Sequence, residues 1–468
     1  MFYRELFKLC GYSEEEMERE APRIEKAFDK AGITPADVDR ALDRLHRYFW
    51  IQSAGVRKVW GIWMKQFIDL ALCREEYDKV VFYTYPLEPR MGTSINLAGN
   101  YYAATPEFVN MFILGLLFGI SDSYFDLAEK NGMTPGTGMC GANKMRLGAF
   151  LKGLNPMPDV FLVSSFFCDN EAKTDELIAF HFKGVPRIIV DNCLDSNWDV
   201  YPSIYPDIEE HRVRYFGAEL QNVIQELRSG FGIDVRPEHI NQARMEIGKL
   251  YLGFQRVLEC QKADPMPISN NDLLLFYMMI TNPERRTMAE GLEAINLLAQ
   301  DAEERVKKGE GVTPKGAPRI AWTMPWFTDP AINAMVEEIG LAPVVAPFFW
   351  VHPKDLTKTP YEGFEKTAVA FMRMGIMHST SGLIFRLAEC IRYFNLDGMI
   401  WNGMYSCRPT GGPAPIIKKL IEEQTGVPVL IIETDQMDSR DTPAEALRTR
   451  IETFAEMLRL RKASLAPS

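Results

Sequence analysis

Asp159-Val-Phe-Leu-Val-Ser164 is a short run with four consecutive apolar residues. Val80-Val-Phe-Tyr-Thr-Tyr85 and Arg187-Ile-Ile-Val190 are similar runs on either side of it, and helical stretches separate the three. Strands that are apolar on both faces are typical of a parallel sheet with helices packed on each side. Residues 76–205 are therefore predicted to form an α/β lobe.

The same alternation of strands and helices returns near the C-terminus, so residues 316–468 are predicted to form a second α/β lobe. Its predicted strands are Arg319-Ile-Ala-Trp-Thr323, Val344-Val-Ala346, Gly398-Met-Ile-Trp401 and Val427-Pro-Val-Leu-Ile-Ile-Glu433. Its predicted helices are Asp329–Glu338, Gly363–Met374, Gly382–Phe394, Pro415–Thr425 and Thr442–Leu460.

The remaining segments are predicted to be helical. Residues 1–75 form a helical N-terminal segment, with Ser13 and Thr34 as helix N-caps. Residues 206–315 form a helical connecting region that ends in a Gly-rich linker. The fold class is therefore α/β, with two doubly wound parallel-sheet lobes, a helical N-terminal segment and a helical insertion.

Composition excludes several classes of function. Apolar residues make up 47% of the chain and charged residues 25%, as in an ordinary globular protein, and the net charge of -11 disfavours a nucleic-acid surface. The N-terminus lacks the apolar stretch of a signal peptide. The run from Met111 to Ile120 is too short to span a membrane and predicts a buried helix. We expect a cytoplasmic protein without membrane or nucleic-acid partners.

Three of the eight cysteines lie where open α/β sheets bind their ligands, beyond strand ends and before helices. Cys168 follows Asp159–Ser164, Cys407 follows Gly398–Trp401, and Cys140 precedes a helix that runs towards Leu154. The chain contains no CxxC pair that would indicate a local zinc or ferredoxin-type site. Two interpretations are open: the three thiolates converge on one metal cluster, or they are loop cysteines without a common site.

Three cysteine segments occur in the order found in a known family. Gly138-Met-Cys-Gly-Ala-Asn-Lys-Met-Arg-Leu-Gly148, Val163-Ser-Ser-Phe-Phe-Cys-Asp-Asn170 and Asp397-Gly-Met-Ile-Trp-Asn-Gly-Met-Tyr-Ser-Cys-Arg408 are followed by a tail with Glu433-Thr-Asp435. From about Lys79 to Arg461 the chain resembles the iron–sulfur subunits of 2-hydroxyacyl-CoA dehydratases and benzoyl-CoA reductases. The resemblance implies two flavodoxin-like lobes with helical additions.

The resemblance also implies a cofactor and partners. Cys140, Cys168 and Cys407 would bind one [4Fe–4S] cluster and leave one iron without a protein thiolate. The expected partners are a homologous second subunit, an ATP-hydrolysing iron–sulfur activator and an acyl-CoA substrate. The chain lacks a P-loop and is not expected to hydrolyse ATP itself. Neither a flavin nor a nicotinamide is expected in this chain.

Cys193 also lies beyond a strand end and is a possible extra ligand. A relative of the family carries a double-cubane [8Fe–9S] cluster, which needs more than three cysteines per chain, although a buried structural thiol is the simpler interpretation of Cys193. Four further cysteines fall within predicted helices and are interpreted as core or surface residues: Cys10, Cys73, Cys260 and Cys390.

Residues around Cys407 are the candidates for catalysis. Tyr405, Ser406 and Arg408, with Asn402, could donate hydrogen bonds to the cluster or to the thioester oxygen, and packing at the strand end is the alternative. Asp169 and Asn170 are predicted to cap the helix after Cys168. The tail residues are predicted to form a buried ion-pair network: Glu433, Asp435, Asp438 and Arg440.

The remaining candidates are histidines and aromatic residues. His181 and His378 could donate protons, and structural roles are the alternative. The aromatic clusters at Trp322–Trp326 and Phe348–Trp350 could line an acyl pocket, with about half of their rings in the core. These aromatics favour a benzoyl-CoA-type reductase. The alternatives are a 2-hydroxyacyl-CoA dehydratase, a homodimeric double-cubane reductase and a cluster-free scaffold subunit.

Overall fold

The computed structural model describes residues 1–84, 89–136, 138–164, 168–191, 208–352, 359–373 and 380–465. The N-terminal segment is helical as predicted, and its helices are α1 (Arg4–Leu9), α2 (Glu14–Ala31), α3 (Pro35–Tyr48) and α4 (Ala54–Glu76). Ser13 caps α2 through a hydrogen bond from the Glu16 amide to Oγ (3.1 Å). Thr34 caps α3 in a reciprocal pair with Asp37.

The first lobe contains a parallel four-stranded sheet in the order β2-β1-β3-β4. Its strands are β1 (Lys79–Tyr83), β2 (Tyr101–Ala104), β3 (Val160–Ser164) and β4 (Arg187–Val190). Its helices are α5 (Pro89–Ala98), α6 (Pro106–Asn110), α7 (Asp122–Lys130), α8 (Gly141–Leu151) and α9 (Asp169–His181). Strand β2 is present in the structure but was not predicted from the sequence. The buried helix predicted after Met111 is present as a π-helical segment, Met111–Leu117.

The connecting region consists of four helices, α10 (Glu210–Phe231), α11 (Pro237–Cys260), α12 (Asn270–Thr281) and α13 (Arg285–Lys308). Helix α13 packs along α4 of the N-terminal segment, and α11 packs against α5 of the first lobe. The connecting region is therefore held against the first half of the chain.

The second lobe repeats the parallel four-stranded arrangement, in the order β6-β5-β7-β8. Its strands are β5 (Arg319–Trp322), β6 (Ala342–Val345), β7 (Gly398–Asn402) and β8 (Val429–Ile432). Its helices are α14 (Pro330–Glu338), α15 (Gly363–Met372), α16 (Thr380–Phe394), α17 (Arg408–Gly411), α18 (Ala414–Thr425) and α19 (Ala444–Leu465). The predicted α/β fold with two parallel-sheet lobes is confirmed.

Both faces of the second sheet are buried, as the apolar runs predict. Ile320 and Ile400 belong to an outer core with residues of α14 and α19. Ala321 and Met399 belong to a larger core that continues through the first lobe and the N-terminal helices. Because this core is shared, the two lobes are packed together. In the described residues no helix is long and apolar enough to cross a membrane.

The two sheets place their third strands in equivalent positions, with β3 beside β1 and β7 beside β5. At each of these pairs the strand order reverses direction, which is where doubly wound folds bind their ligands. Cys168 follows β3, and Cys407 follows β7. Two of the three candidate cysteines therefore occupy equivalent places in the two lobes.

Candidate functional site

Each of the three candidate cysteines is an N-cap residue. Cys140 precedes α8, Cys168 precedes α9, and Cys407 precedes the single-turn helix α17. All three have extended backbone conformations, and within the described residues none of the three side chains caps its own helix. Thiols in these positions remain available for a ligand.

One buried side chain joins the three cysteine loops. The Asn170 amide Nδ2 donates hydrogen bonds to the carbonyl oxygen of Gly138 (2.7 Å) and to that of Ser406 (3.1 Å). Gly138 is two residues before Cys140, Ser406 directly precedes Cys407, and Asn170 itself is two residues after Cys168. The three loops therefore meet at one point, where Asn170 is only 3% exposed.

The prediction that Asp169 and Asn170 cap α9 is wrong. The cap position is occupied by Cys168, and Asn170 bonds to the other two loops instead. The Asp169 carboxylate forms ion pairs with Lys173 (2.5 Å) and with Arg408. The first of these partners is on α9, whereas the second belongs to the other lobe, so both Asp169 and Asn170 link the lobes.

Asp435, in the tail after β8, forms a second connection between the loops. Its Oδ2 accepts hydrogen bonds from the Gly141 amide (3.0 Å) and from Ser406 Oγ (3.0 Å). Its Oδ1 accepts one from the Met437 amide (3.0 Å). The backbone of α8 approaches the tail so closely that a Cβ on Gly141 would lie 2.5 Å from the Met437 carbonyl carbon. Glycine is therefore required directly after Cys140.

The predicted ion-pair network of the tail is centred on Asp438 and Arg440. Asp438 Oδ2 accepts hydrogen bonds from Lys144 Nζ (2.9 Å) and from Arg440 (2.7 Å). Glu129 accepts from the same two cations, at 2.9 and 2.6 Å. Glu433 and Asp435 do not belong to this network. Glu433 is exposed and makes no ion pair with any described residue, whereas Asp435 is buried and accepts hydrogen bonds from two backbone amides and a hydroxyl group.

Burial dominates the electrostatics of the three thiols. It raises the pKa of Cys168 to about 12, with the Glu171 charge adding to the effect, and the pKa of Cys407 to about 11. Burial and the Asp435 charge hold the pKa of Cys140 well above its usual range. Three such thiols stay protonated at neutral pH unless a cation stabilises the thiolates, as metal ions do.

The three thiols have the donor chemistry that an iron–sulfur cluster requires. Within the described ranges, no three His, Cys, Asp or Glu side chains are grouped closely enough to bind one ion. A cubane cluster binds each thiolate through a different iron, so its ligands are spread more widely, and thiolates are its usual protein ligands. Asn143 Nδ2 also donates to Cys140 Sγ (3.2 Å), a type of hydrogen bond that tunes cluster potentials.

The predicted catalytic residues around Cys407 all have protein partners. Tyr405 is 57% exposed, and its hydroxyl donates to Asp441 Oδ2 (2.7 Å). Ser406 is buried, and its hydroxyl donates a hydrogen bond to Asp435 Oδ2. Arg408 forms an ion pair with Asp169. Asn402 is fully buried, and its amide group donates to Gln436 and to the Met324 carbonyl (3.4 Å). Asn402 is thus a packing residue at the strand end.

The other cysteines lie away from the three loops or outside the described residues. Cys10, Cys73 and Cys390 are buried in the main core, and Cys260 is half-buried at the end of α11. The ring of His181 contacts the Asn131 carbonyl (3.0 Å), which is a structural role. The candidates Cys193 and His378 lie outside the described residues.

The two predicted aromatic clusters divide between core and cavities. Trp322 is in the outer core of the second lobe, whereas Trp326 and Phe327 line a narrow apolar cavity of about 20 Å³, the space of about one water molecule. Met437 is another wall of this cavity, so the cavity adjoins the tail segment that touches Gly141. Phe348 and Phe349 line a larger cavity beside α11.

The fold and the site together describe a two-lobed α/β protein in which cysteines from both lobes lie at one cleft. The chain belongs to the 2-hydroxyglutaryl-CoA dehydratase, D-component family, whose sequence profile matches residues 101–458. The predicted family is thereby confirmed, and it is a family of acyl-CoA enzyme subunits.

Three relatives are each about one quarter identical to this chain over the aligned part, which is about two thirds of this chain. The alpha subunit of (R)-2-hydroxyglutaryl-CoA dehydratase from Acidaminococcus fermentans is 24% identical over 65% of this chain and 61% of its own length. The alpha subunit of (R)-phenyllactyl-CoA dehydratase from Clostridium sporogenes is 24% identical over 66% of this chain and 72% of its own. A benzoyl-CoA reductase subunit from Thauera aromatica is 25% identical over 65% of this chain and 71% of its own.

Sequence reasoning identified the three cysteines and named Asn170 and Asp435, but it did not identify the contacts by which these two residues join the loops. Asn170, Gly138 and Gly141 gave only weak local signals, because their partners are distant in the sequence. The one available signal was glycine on both sides of Cys140, which indicates close backbone approach.

Proposed function

We propose that this chain is the cluster-binding subunit of a low-potential acyl-CoA enzyme, with Cys140, Cys168 and Cys407 as ligands of one [4Fe–4S] cluster. The hydrogen bonds from Asn170 to the Gly138 and Ser406 carbonyls are the main support for this proposal, since they bring together three loops that each contain one of the cysteines. When bound, such a cluster supplies single electrons at a potential set by charge, burial and hydrogen bonds to sulfur.

The residues of the chain prepare the site for this chemistry. Asn143 donates a hydrogen bond to the Cys140 sulfur, and Asp435 fixes the backbone on both sides of the cleft. Cys407 is buried, and Cys140 and Cys168 are partly buried, which strengthens electrostatic interactions at the three sulfur atoms. Ser406 and Arg408 act as positioning residues through their carboxylate partners.

Two reactions are compatible with this site. Reduction of an aromatic acyl thioester is placed first, because four aromatic side chains surround Met437 of the tail: Phe108, Phe112, Trp326 and Phe327. Dehydration of a 2-hydroxyacyl thioester is the second candidate, favoured by the dehydratase relatives. In both cases a homologous second subunit, an ATP-hydrolysing activator and a cytoplasmic location are proposed.

The cluster is tested by anaerobic purification of the full chain, with iron and acid-labile sulfide determined per chain. We expect about four of each, as a single cubane requires, and a paramagnetic signal after reduction. About eight irons per chain would favour a double-cubane cluster, and iron-free protein after anaerobic reconstitution would contradict the proposal.

The reaction is tested with the assembled complex and its activator under anaerobic conditions. Benzoyl-CoA and a 2-hydroxyacyl-CoA are offered separately, and products are identified by mass. If the complex dehydrates the 2-hydroxyacyl-CoA and does not reduce benzoyl-CoA, dehydration replaces reduction as the proposed reaction. Turnover of neither thioester by a cluster-loaded complex would argue against both reactions.

A further inference from the structure

Helices α8 and α9, which begin directly after Cys140 and Cys168, are held together by buried charges. Arg146 of α8 is fully buried, and its guanidinium group forms ion pairs with Glu171 (3.1 Å) and Asp175 of α9. The two carboxylates are four residues apart, so they lie on the same face of α9. One cation therefore holds this face of α9 against α8.

Thr174 adds a neutral contact between the same two helices. Its hydroxyl Oγ1 donates a hydrogen bond to Asn143 Oδ1 in α8 (2.7 Å). The same hydroxyl lies 2.8 Å from the carbonyl oxygen of Asn170, four residues earlier in α9. Thr174 and Asn143 are 0% and 1% exposed, so their polar groups depend on protein partners.

Asn143 connects this contact to the sulfur of Cys140. Its amide Nδ2 donates a hydrogen bond to Cys140 Sγ (3.2 Å), while its Oδ1 accepts from Thr174. A metal-bound sulfur has no proton and can only accept, so the donor end of the amide group must face it. With Nδ2 turned to the sulfur, Oδ1 needs a donor, and the Thr174 hydroxyl supplies it.

We infer that Thr174 is a positioning residue that holds the Asn143 amide group on the Cys140 sulfur and so raises the reduction potential of the bound cluster. The inference rests on the proposed function, because it needs a cluster with Cys140 as a ligand. Reduction adds negative charge to the cluster, and a hydrogen bond to sulfur stabilises that charge. Without the hydroxyl, Asn143 Oδ1 would be buried without a donor, which favours rotation of the amide group away from the sulfur.

The test is an anaerobic redox titration of the iron-loaded full chain, followed through the paramagnetic signal of the reduced cluster. Thr174→Val keeps the size of the side chain and removes the hydroxyl. It should lower the equilibrium constant for reduction about fivefold, the change expected for one net hydrogen bond. For one electron this is a shift of about 40 mV to a more negative potential. Iron content should stay unchanged.

Two further variants at the same position separate the hydroxyl from the packing. Thr174→Ser keeps the hydroxyl and should have the potential of the unmodified protein. Thr174→Ala lacks the hydroxyl and should shift the potential in the same direction as valine does. The alanine variant also replaces the valine variant in the titration if the latter does not fold.

A change at Asn143 locates the effect. Asn143→Leu removes the donor itself and should shift the potential in the same direction by at least as much. Combining it with Thr174→Val should add no further shift, because Thr174 acts through Asn143.

Thr367→Val is the matched control. Thr367 is buried in α15 of the second lobe, and its hydroxyl donates to the carbonyl of Gly363 (3.5 Å) in the same helix. Its replacement should leave the potential unchanged. A shift equal to that of Thr174→Val would overturn the inference, since it would be a general effect of losing a buried hydroxyl.

The outcomes distinguish this inference from the proposed function. Full iron content with an unchanged potential in Thr174→Val would end this inference alone. A shift that serine also causes, or additive shifts in the double variant, would overturn it as well, because the hydroxyl would then not act through Asn143. Unmodified protein that stays iron-free after anaerobic reconstitution would end the proposed function, and this inference with it.

Discussion

The two lobes have the same strand order, and in each a cysteine occupies the N-cap position of the helix after the third strand. The residues after the cysteine differ. The first lobe continues with Asp169 and the long helix α9, whereas the second continues with Arg408 and a single helical turn. Asp169 and Arg408 form an ion pair across the cleft. The repeated topology positions the thiols, and the unlike residues beside them join the lobes.

The largest expected effect tests whether the two cysteines are functionally equivalent. Cys168→Ser and Cys407→Ser should each abolish or destabilise the cluster, because a hydroxyl is a poor replacement for a thiolate ligand. Iron per chain, measured after anaerobic purification, should fall well below that of the unmodified protein. Cys260→Ser, at a half-buried cysteine away from the loops, should retain full iron content. Equal iron in all three variants would contradict the ligand assignment.

Asn170→Asp should weaken the connection between the lobes. The substitution replaces a buried amide donor with a carboxylate that faces two carbonyl oxygens. We expect a loss of about 2 to 3 kcal/mol in unfolding free energy, measured by urea denaturation. Asn100→Asp, at an exposed asparagine, is the control and should change stability little. If both variants unfold at the same urea concentration, Asn170 does not hold the lobes together.

Gly141→Ala tests the close approach between α8 and the tail. The added methyl group would lie 2.5 Å from the Met437 carbonyl carbon, so the tail must shift, at a cost of about 1 to 3 kcal/mol. Gly230→Ala in α10 is the control, because no atom lies within 4 Å of its added Cβ. There alanine should stabilise the helix by roughly 0.5 to 1 kcal/mol. A stable Gly141→Ala protein with normal iron would show that the approach is not required.

The smallest effect concerns the ion pair across the cleft. Arg408 and Asp169 are partly exposed, so solvent screens their attraction, and the coupling energy from a double-alanine cycle should stay below about 1 kcal/mol. Iron content should be unchanged in Arg408→Ala if the residue only positions the loop. Loss of turnover with normal iron and normal stability would instead give Arg408 a direct part in the reaction.

Much of the fold was predictable because its strands are apolar on both faces. Val160–Ser164 and Gly398–Asn402 are buried at every position, and their sequences show it directly. Tyr101–Ala104 was missed because four residues between an Asn and a Thr-Pro pair give too short a pattern. Its identity as a strand depends on pairing with β1, which no local sequence reveals.

The site was predictable only in part, for a similar reason. The cysteines stand out by their position between strand ends and helices. The role of Asn170 could not be predicted, because its partners are the backbone carbonyl groups of residues 138 and 406. Contacts to backbone atoms do not depend on the side chains at those positions, so the sequence does not reveal them. Glu433 was wrongly grouped with Asp438, since sequence proximity does not show which side chains face the interior.

The contact between Asn170 and the Ser406 carbonyl has a consequence for how the protein is made. A ribosome releases Cys140 and Cys168 long before Cys407, so a nascent chain has two of three thiols and an incomplete scaffold. If these three loops bind the proposed cluster, the site is complete only after synthesis has passed β7, when the last loop reaches Asn170. Fragments that end before β7 are then expected to contain no iron after anaerobic purification.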